Sequence, residues 1–255
     1  MSYNTKHAIM GMVSKRYKVM PWVGYIKNSK EAVFFQPVDN EIYNLFEKVN
    51  LNYAPSKDIE IDGYSLHGAY KSTNITSVFT PDWFKLPGKA WREIRETRNH
   101  YDKSVTITNT AELPKILAFI KEWNTLRGKE RYGWQLHSGY DMNFFEQFFA
   151  GEQDKLWTQF YWQGEQLIGY AVVSKENVNG EYNYIIRKAR TDMRNLNLYC
   201  DFKMFELINR ELKTAFNINW GSSKGSLLAY KQKFPVGAMA DTYFCKFIKN
   251  GTDAQ

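Results

Sequence analysis

The sequence predicts an α+β fold in which a mainly antiparallel, mixed sheet is flanked by helices, and three observations carry that expectation. From Ser104 onward, apolar patterns of period two and period 3.6 succeed one another in the order β-α-α-β-β-β-α-β-α-β. The three consecutive strands in the middle are joined by Gln163-Gly164-Glu165 and by Asn177 to Gly180, turns of the length that makes antiparallel hairpins. The chain has 255 residues, 44% hydrophobic and 16% aromatic, which is enough apolar material for a buried core and too much for a disordered chain.

In the first hundred residues, Trp22 to Ile26 and Ala32 to Val38 read as strands with Lys27-Asn28-Ser29-Lys30 as the turn between them. Asp39 caps a short helix through Val49, and Asn50 to Lys57 reads as a loop. Ile59 to Tyr70 alternates around Gly63 as a strand or hairpin. After Thr80-Pro81-Asp82, a helical stretch runs from Trp83 to Tyr101 with a break near Pro87-Gly88. The clearer part begins with the strand Val105-Thr106-Ile107. Thr110 then caps a helix through Arg127 whose Leu113, Ile116, Leu117, Ile120 and Trp123 recur at three and four. A loop rich in glycine and aromatics precedes a helix near Met142 to Ala150. Strands follow at Leu156 to Trp162, Gln166 to Ser174 and Glu181 to Ala189. Next come a helix from Leu196 to Ala215, a strand at Ile218 to Trp220, a helix at Gly225 to Lys233 and a strand at Ala240 to Ile248. The expected division is an N-terminal α+β unit over 1–102 and a second unit over 103–255.

No run approaches the roughly 20 apolar residues of a membrane-spanning helix, and Ala8 to Val13 is too short for the apolar core of a signal peptide. Cys200 and Cys245, the only cysteines, sit among apolar neighbours without redox or zinc spacing, so buried free thiols in a cytoplasmic protein are expected. His7, His67, His100 and His137 show no ligand spacing, and no metal site is expected. The formal charge of +7 is distributed in clusters: Lys6, Lys15, Arg16, Lys18, Lys27 and Lys30; Arg187, Lys188, Arg190 and Arg194; Lys224, Lys231, Lys233, Lys246 and Lys249. Such clusters suit a polyanionic partner, tRNA, DNA or a phosphate-bearing cofactor; equally, they describe an ordinary solvated surface.

Two segments carry a family resemblance. Gly88 to Asn99 holds a Gly-Lys pair, then Arg92, Arg95 and Arg98 at three-residue spacing and a closing Asn99. Asn217-Ile218-Asn219-Trp220-Gly221-Ser222-Ser223 continues through Leu227 to Tyr230-Lys231-Gln232-Lys233-Phe234-Pro235. Both resemble blocks of the lysyl-phosphatidylglycerol synthase C-terminal family, which is built from GNAT-like units and related to the FemAB peptidyltransferases. Between them, Phe119 to Trp123 and Tyr184 to Ala189 fall in the expected order, so the resemblance spans about residues 83–249. It implies two GNAT-like units in tandem, the first degenerate, and an acyl- or aminoacyltransferase whose donor is acyl-CoA or aminoacyl-tRNA. The chain departs from acetyl-CoA-binding members after the strand Glu181 to Ala189. There Arg187-Lys188-Ala189-Arg190-Thr191-Asp192-Met193-Arg194 stands where a glycine-rich turn would bring bare amides to a pyrophosphate. Either Arg187, Lys188, Arg190 and Arg194 take over that role, or the donor is an aminoacyl-tRNA.

The candidate site residues follow from these segments. Lys89, Arg92, Arg95 and Arg98 form a basic series suited to phosphates or, with Glu93 and Glu96, a solvated helix. Gly221, Ser222 and Ser223 suit a backbone that approaches a donor closely, or a simple turn with a serine cap. The GNAT resemblance places on the next helix a tyrosine that protonates the leaving group, here Tyr230, which on an amphipathic helix reads equally as a half-buried packing residue; Lys231 or Lys233 could instead meet the carboxylate or phosphate of a substrate, and Tyr230 and Lys231 are the site candidates. Glu181, Asp241 and His137 are the candidates for the base that deprotonates an amine. Two other readings stay open: an acyltransferase that modifies bases of DNA or RNA, favoured by the basic clusters with 8 Trp, 17 Tyr and 17 Phe, and a non-catalytic nucleic-acid-binding module on the same fold.

Overall fold

The structure is a computed structural model and describes residues 24–26, 30–34, 40–54, 56–130, 144–146, 153–178, 180–223 and 225–252. Its strands are β1 (Gly24–Ile26), β2 (Glu31–Phe34), β3 (Lys48–Ala54), β4 (Tyr64–Phe79), β5 (Thr106–Thr108), β6 (Leu156–Gln163), β7 (Gln166–Val178), β8 (Glu181–Ala189), β9 (Phe216–Ser223) and β10 (Val236–Lys249). The helices are α1 (Asn40–Tyr43), α2 (Arg92–Tyr101), α3 (Leu113–Glu130), α4 (Leu196–Leu212) and α5 (Gly225–Lys231). The expected elements from Ser104 onward are present in order, except that the helix near Met142 to Ala150 lies almost wholly outside the described residues, as do residues 22–23, 27–29 and 35–39 of the N-terminal expectations; β8 has the expected bounds. Among the described residues no helix is long and apolar enough to cross a membrane.

The chain forms two compact units that do not follow the contiguous division at 102/103. One takes the chain up to Ile75 together with Gly221 onward, and the other is Thr76–Trp220. The first unit closes on itself because β10 returns to pair antiparallel with β3, Phe247 facing Val49 and Cys245 facing Leu51. Those four residues are buried with Phe34, Phe46 and Tyr64 in one apolar cluster. β3 also corrects the expectation of a helix to Val49 and a loop beyond it. Asn50 interrupts the apolar pattern there, yet it is buried in the strand because its amide reaches Glu31 Oε1 at 2.9 Å and the Ala32 carbonyl at 3.4 Å on parallel β2.

The second unit has strand order β4-β9-β8-β7-β6-β5. Hairpins join β6, β7 and β8 antiparallel, with Gly164 and Gly180 at positive φ in the two turns. Alternation along β6 sends neighbouring side chains to opposite faces. Phe160 packs with Phe145 and Tyr170, against which Phe119 of α3 stands edge-on, whereas the Tyr161 hydroxyl reaches the Cys200 carbonyl of α4 at 2.7 Å. Thus α3 and α4 cover opposite faces. The α4 face is aromatic: Phe79 stacks on Phe216 and stands edge-on to Trp83, with Phe205 tilted against Phe79 and Phe202 tilted against Trp83. Both cysteines are buried and free.

Candidate active site

The second unit contains a parallel strand pair that comes apart. α4 carries the chain from β8 back to β9, so the two strands run in the same direction. They pair at Glu181 with Asn217, Tyr182 with Ile218, and Asn183 with Asn219, and among the described residues the pairing stops there. β8 nonetheless runs on from Tyr184 to Ala189, held on its other side by β7. Past Asn183 the two strands are no longer paired with each other among the described residues, and the gap between them can take an extended ligand. The Tyr184 and Trp220 rings stack across the start of the opening, 5.2 Å apart and 6° from parallel, with Phe205 of α4 edge-on to both. Trp220 Nε1 donates to Ser77 Oγ at 2.7 Å. At the closed end, Glu181 receives Thr76 Oγ1 at 2.8 Å on one oxygen and Asn219 Nδ2 at 2.9 Å on the other.

Behind the opening lies a buried polar network absent from the sequence expectations. Asp201 of α4 has no solvent exposure; its Oδ1 accepts the Tyr184 hydroxyl at 2.5 Å and lies 3.1 Å from Arg187 Nε. Burial first, then the nearby Asp201 charge, pushes the Tyr184 hydroxyl well above its ordinary pKa, so it stays protonated and donating. Burial likewise pushes up the Tyr161 hydroxyl and the Cys200 thiol. The signal for this network was an acid at position 201 inside the apolar stripe of α4, three positions before Met204 and flanked by Cys200 and Phe202.

The basic turn after β8 is engaged within its own unit. Arg187 faces Asp201. Lys188 Nζ lies 3.8 Å from the centre of the Trp123 ring, and that indole donates to the Ala189 carbonyl at 2.9 Å. Arg190 reaches Glu122 at 2.6 Å and grips Asp192 with two nitrogens at 3.0 and 2.7 Å. Arg194 is exposed, its carbonyl accepting the Tyr101 hydroxyl at 2.7 Å. A phosphate at this turn would compete with carboxylates for Arg187 and Arg190.

The Lys89 to Arg98 series does not form one helical stripe. Lys89 is exposed in the turn before α2, and Arg92 pairs with Glu96 at 2.7 Å. Arg95 donates to the Leu86 and Gly88 carbonyls, the latter at 2.7 Å, and so closes the end of the 3-10 turn Pro81–Lys85. The Arg98 guanidinium carbon lies 6.0 Å from the centre of the Phe202 ring.

The other candidates belong to the first unit. Lys231 is buried, with Nζ 3.0 Å from the Gly221 carbonyl; Gly221 itself has φ of 70°, which a side chain would strain. Ser223 is buried, its carbonyl accepts Ser72 Oγ at 3.0 Å, and its own Oγ has no hydrogen-bond partner among the described residues. Tyr230 is half-buried with its ring edge-on to Phe234. Asp241 is ion-paired with Lys71 at 2.6 Å, which raises the Lys71 pKa. The structure thus gathers Gly221, Ser223 and Lys231, whereas Glu181 and the basic turn lie in the other unit. His137 with its aromatic loop and the Ser222 side chain lie outside the described residues.

Solved structures share this fold at low sequence identity. The L-PGS of Bacillus licheniformis is 10% identical with a TM-score of 0.52, over 91% of this chain and 81% of that one. The C-terminal domain of a protein named as a lysylphosphatidylglycerol synthetase from Agrobacterium fabrum is 11% identical with a TM-score of 0.54, over 99% and 94%. A tandem GNAT protein from the clavulanic acid biosynthesis pathway is 9% identical with a TM-score of 0.51, over 91% and 80%. No protein-family model and no curated protein matches the sequence.

Proposed function

We propose, from the GNAT-like fold that this chain shares with lysylphosphatidylglycerol synthetase domains and a tandem GNAT protein, that it is an acyl- or aminoacyltransferase. The observation that carries the reading is the parting of β8 from β9 beyond the pair Asn183 and Asn219, while β8 runs on to Ala189. An extended donor arm lies in that gap, and a strand amide there donates to the carbonyl oxygen of the acyl group. That hydrogen bond strengthens as the oxygen gains charge, which is the condition for lowering a barrier. An acceptor amine or hydroxyl attacks the carbonyl carbon; a C–N or C–O bond forms, and the C–S bond of a thioester or the ester C–O bond of an aminoacyl-tRNA breaks. The acceptor proton passes to a base, and the leaving thiolate or alkoxide takes one from an acid. Glu181, in the unit that holds this gap, is the candidate base; Tyr230, in the other unit, is a candidate acid on the GNAT resemblance alone. Asp241 and Lys231 are held by Lys71 and the Gly221 carbonyl, so each must leave a partner before meeting substrate.

The donor is acyl-CoA or aminoacyl-tRNA, and the two make different demands on the basic turn. Its Arg187 and Arg190 are committed to carboxylates, which weakens the idea of a cationic cradle for pyrophosphate and supports the aminoacyl ester. The same pairing gives no particular support to a base-modifying enzyme or a nucleic-acid-binding module. The test is a transfer assay with the full chain, offering labelled acyl-CoAs and labelled aminoacyl-tRNAs with a panel of amines and hydroxylated lipids. Transfer above the no-enzyme rate with one donor class, reduced at least tenfold in Tyr230→Phe, is the expected result. Absence of transfer from every donor, with the chain folded and no donor bound, overturns the reading.

A further inference from the structure

β8 carries one residue more than the strand beside it, and the extra residue follows directly on the place where β8 and β9 part. Against β7, Ile186 lies opposite Val172 and Tyr184 opposite Val173, so Ile185 has no β7 residue opposite it and forms a bulge. The last pair between β8 and β9 is Asn183 with Asn219, two residues earlier. A bulge bends its strand and sharpens its twist, which turns β8 aside from its neighbour.

The bulge also changes which side chains share a face. In a regular strand, Tyr184 and Arg187 are three apart and point to opposite faces. Here both meet Asp201 of α4: the Tyr184 hydroxyl donates to Oδ1 at 2.5 Å, and Arg187 Nε lies 3.1 Å from the same oxygen. Lys188, next along, points the other way, its Nζ 3.8 Å from the centre of the Trp123 ring on α3. One carboxylate oxygen thus ties β8 on both sides of Ile185. On the strand's gap side, the Tyr184 ring stacks on Trp220 of β9 at 5.2 Å.

Gly169 of β7 is what lets α4 lie close enough for this. A Cβ there would sit 3.3 Å from the Sγ of Cys200, the residue before Asp201. Asp201 itself has no exposure, and its flanking residues Cys200 and Phe202 are buried too. Packing alone would be met there by another apolar side chain, because a buried carboxylate is costly unless its partners stay in place.

We propose that Asp201 is the positioning residue of the gap between β8 and β9: by holding Tyr184 and Arg187 on one face, it fixes the bulge at Ile185 and so the opening that the acyl donor enters. The inference rests on the transferase reading for what enters the gap, and not for the clamp itself.

The test uses the full chain and two variants, each of which breaks one tie. Asp201→Asn weakens the hold on Arg187 but still accepts from Tyr184. Tyr184→Phe keeps the ring stack and loses only the hydroxyl, so it carries the test should Asp201→Asn not fold. Relaxation dispersion of the backbone amides is expected to show new microsecond-to-millisecond exchange at Tyr184 to Arg187 in both variants, and none along β6. With the donor class that the parent uses, Asp201→Asn should raise the donor KM about tenfold and leave kcat within about threefold, since bound donor and transition state lose the same contacts. A residue that only stabilised the unit would lower kcat in proportion to the folded fraction and leave KM alone. Exchange absent from Tyr184 to Arg187 in both variants, exchange spread evenly over the unit, or an unchanged donor KM overturns the proposal. If the parent transfers from no donor, the transferase reading fails and the dispersion result alone decides on the clamp.

Discussion

Replacing Asp201 with Asn separates the contribution of the buried charge from that of shape. The carboxylate has no exposure, the Arg187 side chain is 18% exposed, and they meet at 3.1 Å. Removing one member of a buried pair typically costs about 3–5 kcal/mol, because the other charge stays desolvated. Two features place Asp201→Asn at the lower end, about 3 kcal/mol: Arg187 keeps some solvent, and an Asn oxygen still accepts from Tyr184. For a chain of this size, each kcal/mol moves the melting temperature by about 2–4 °C, so the expected fall is about 6–12 °C. Arg187→Met is the harsher change, about 5 kcal/mol, since it strands a carboxylate with no exposure. The double variant should cost less than the sum of the two, because each single change leaves one unmatched charge that the double removes. Thermal and urea unfolding of the four proteins measure this directly. A melting temperature for Asp201→Asn within about 2 °C of the parent refutes the reasoning.

Three further outcomes are expected. Gly169 of β7 lies opposite Ala189, and a Cβ there would sit 3.0 Å from the Lys188 carbonyl oxygen and 3.3 Å from Cys200 Sγ, so Gly169→Ala should lose about 1–3 kcal/mol in urea unfolding. Tyr64 donates to the Tyr43 and Phe46 carbonyls, the latter at 2.6 Å, and burial pushes its hydroxyl up to about 12. Because the folded value is the raised one, its contribution is intact below about pH 10 and is lost as pH rises through 12; relative to Tyr64→Phe, the parent should lose about 1 kcal/mol between about pH 9 and pH 11. Burial raises the pKa of both cysteine thiols, so neither Cys200 nor Cys245 should react with a thiol reagent at pH 8 until denaturant is added, and rapid labelling of the native protein would contradict their placement.

What was legible in the sequence depended on how sharply each segment declared its period. The hairpins β6 to β8 were legible because Gly164 and Gly180 mark turns between clean apolar runs, and α4 because its stripe repeats over four turns. β3 was hidden by Asn50 and the second half of β4, beyond Tyr70, by its polar stretch Ser72-Thr73-Asn74, since each depends on partners distant in sequence. Such partners are also what assigned β10 to the N-terminal strands. At the site, residue types pointed to the turn after β8, but charge alone does not show pairing: Arg187 and Arg190 look free until Asp201 and Glu122 are brought to them by α4 and α3. The parting of β8 from β9 has no sequence signature, because it is a property of where two strands stop bonding.

Hydrogen exchange of the β8 amides tests the central claim most directly. With the donor class that supports transfer, the account predicts that backbone amides within Tyr184 to Ala189 gain protection on donor binding, while the β7-paired amides of the same strand, already bonded, change little. Saturation with a turned-over donor that leaves Tyr184 to Ala189 unprotected would contradict it, because the acyl group would then be held somewhere other than the gap between β8 and β9.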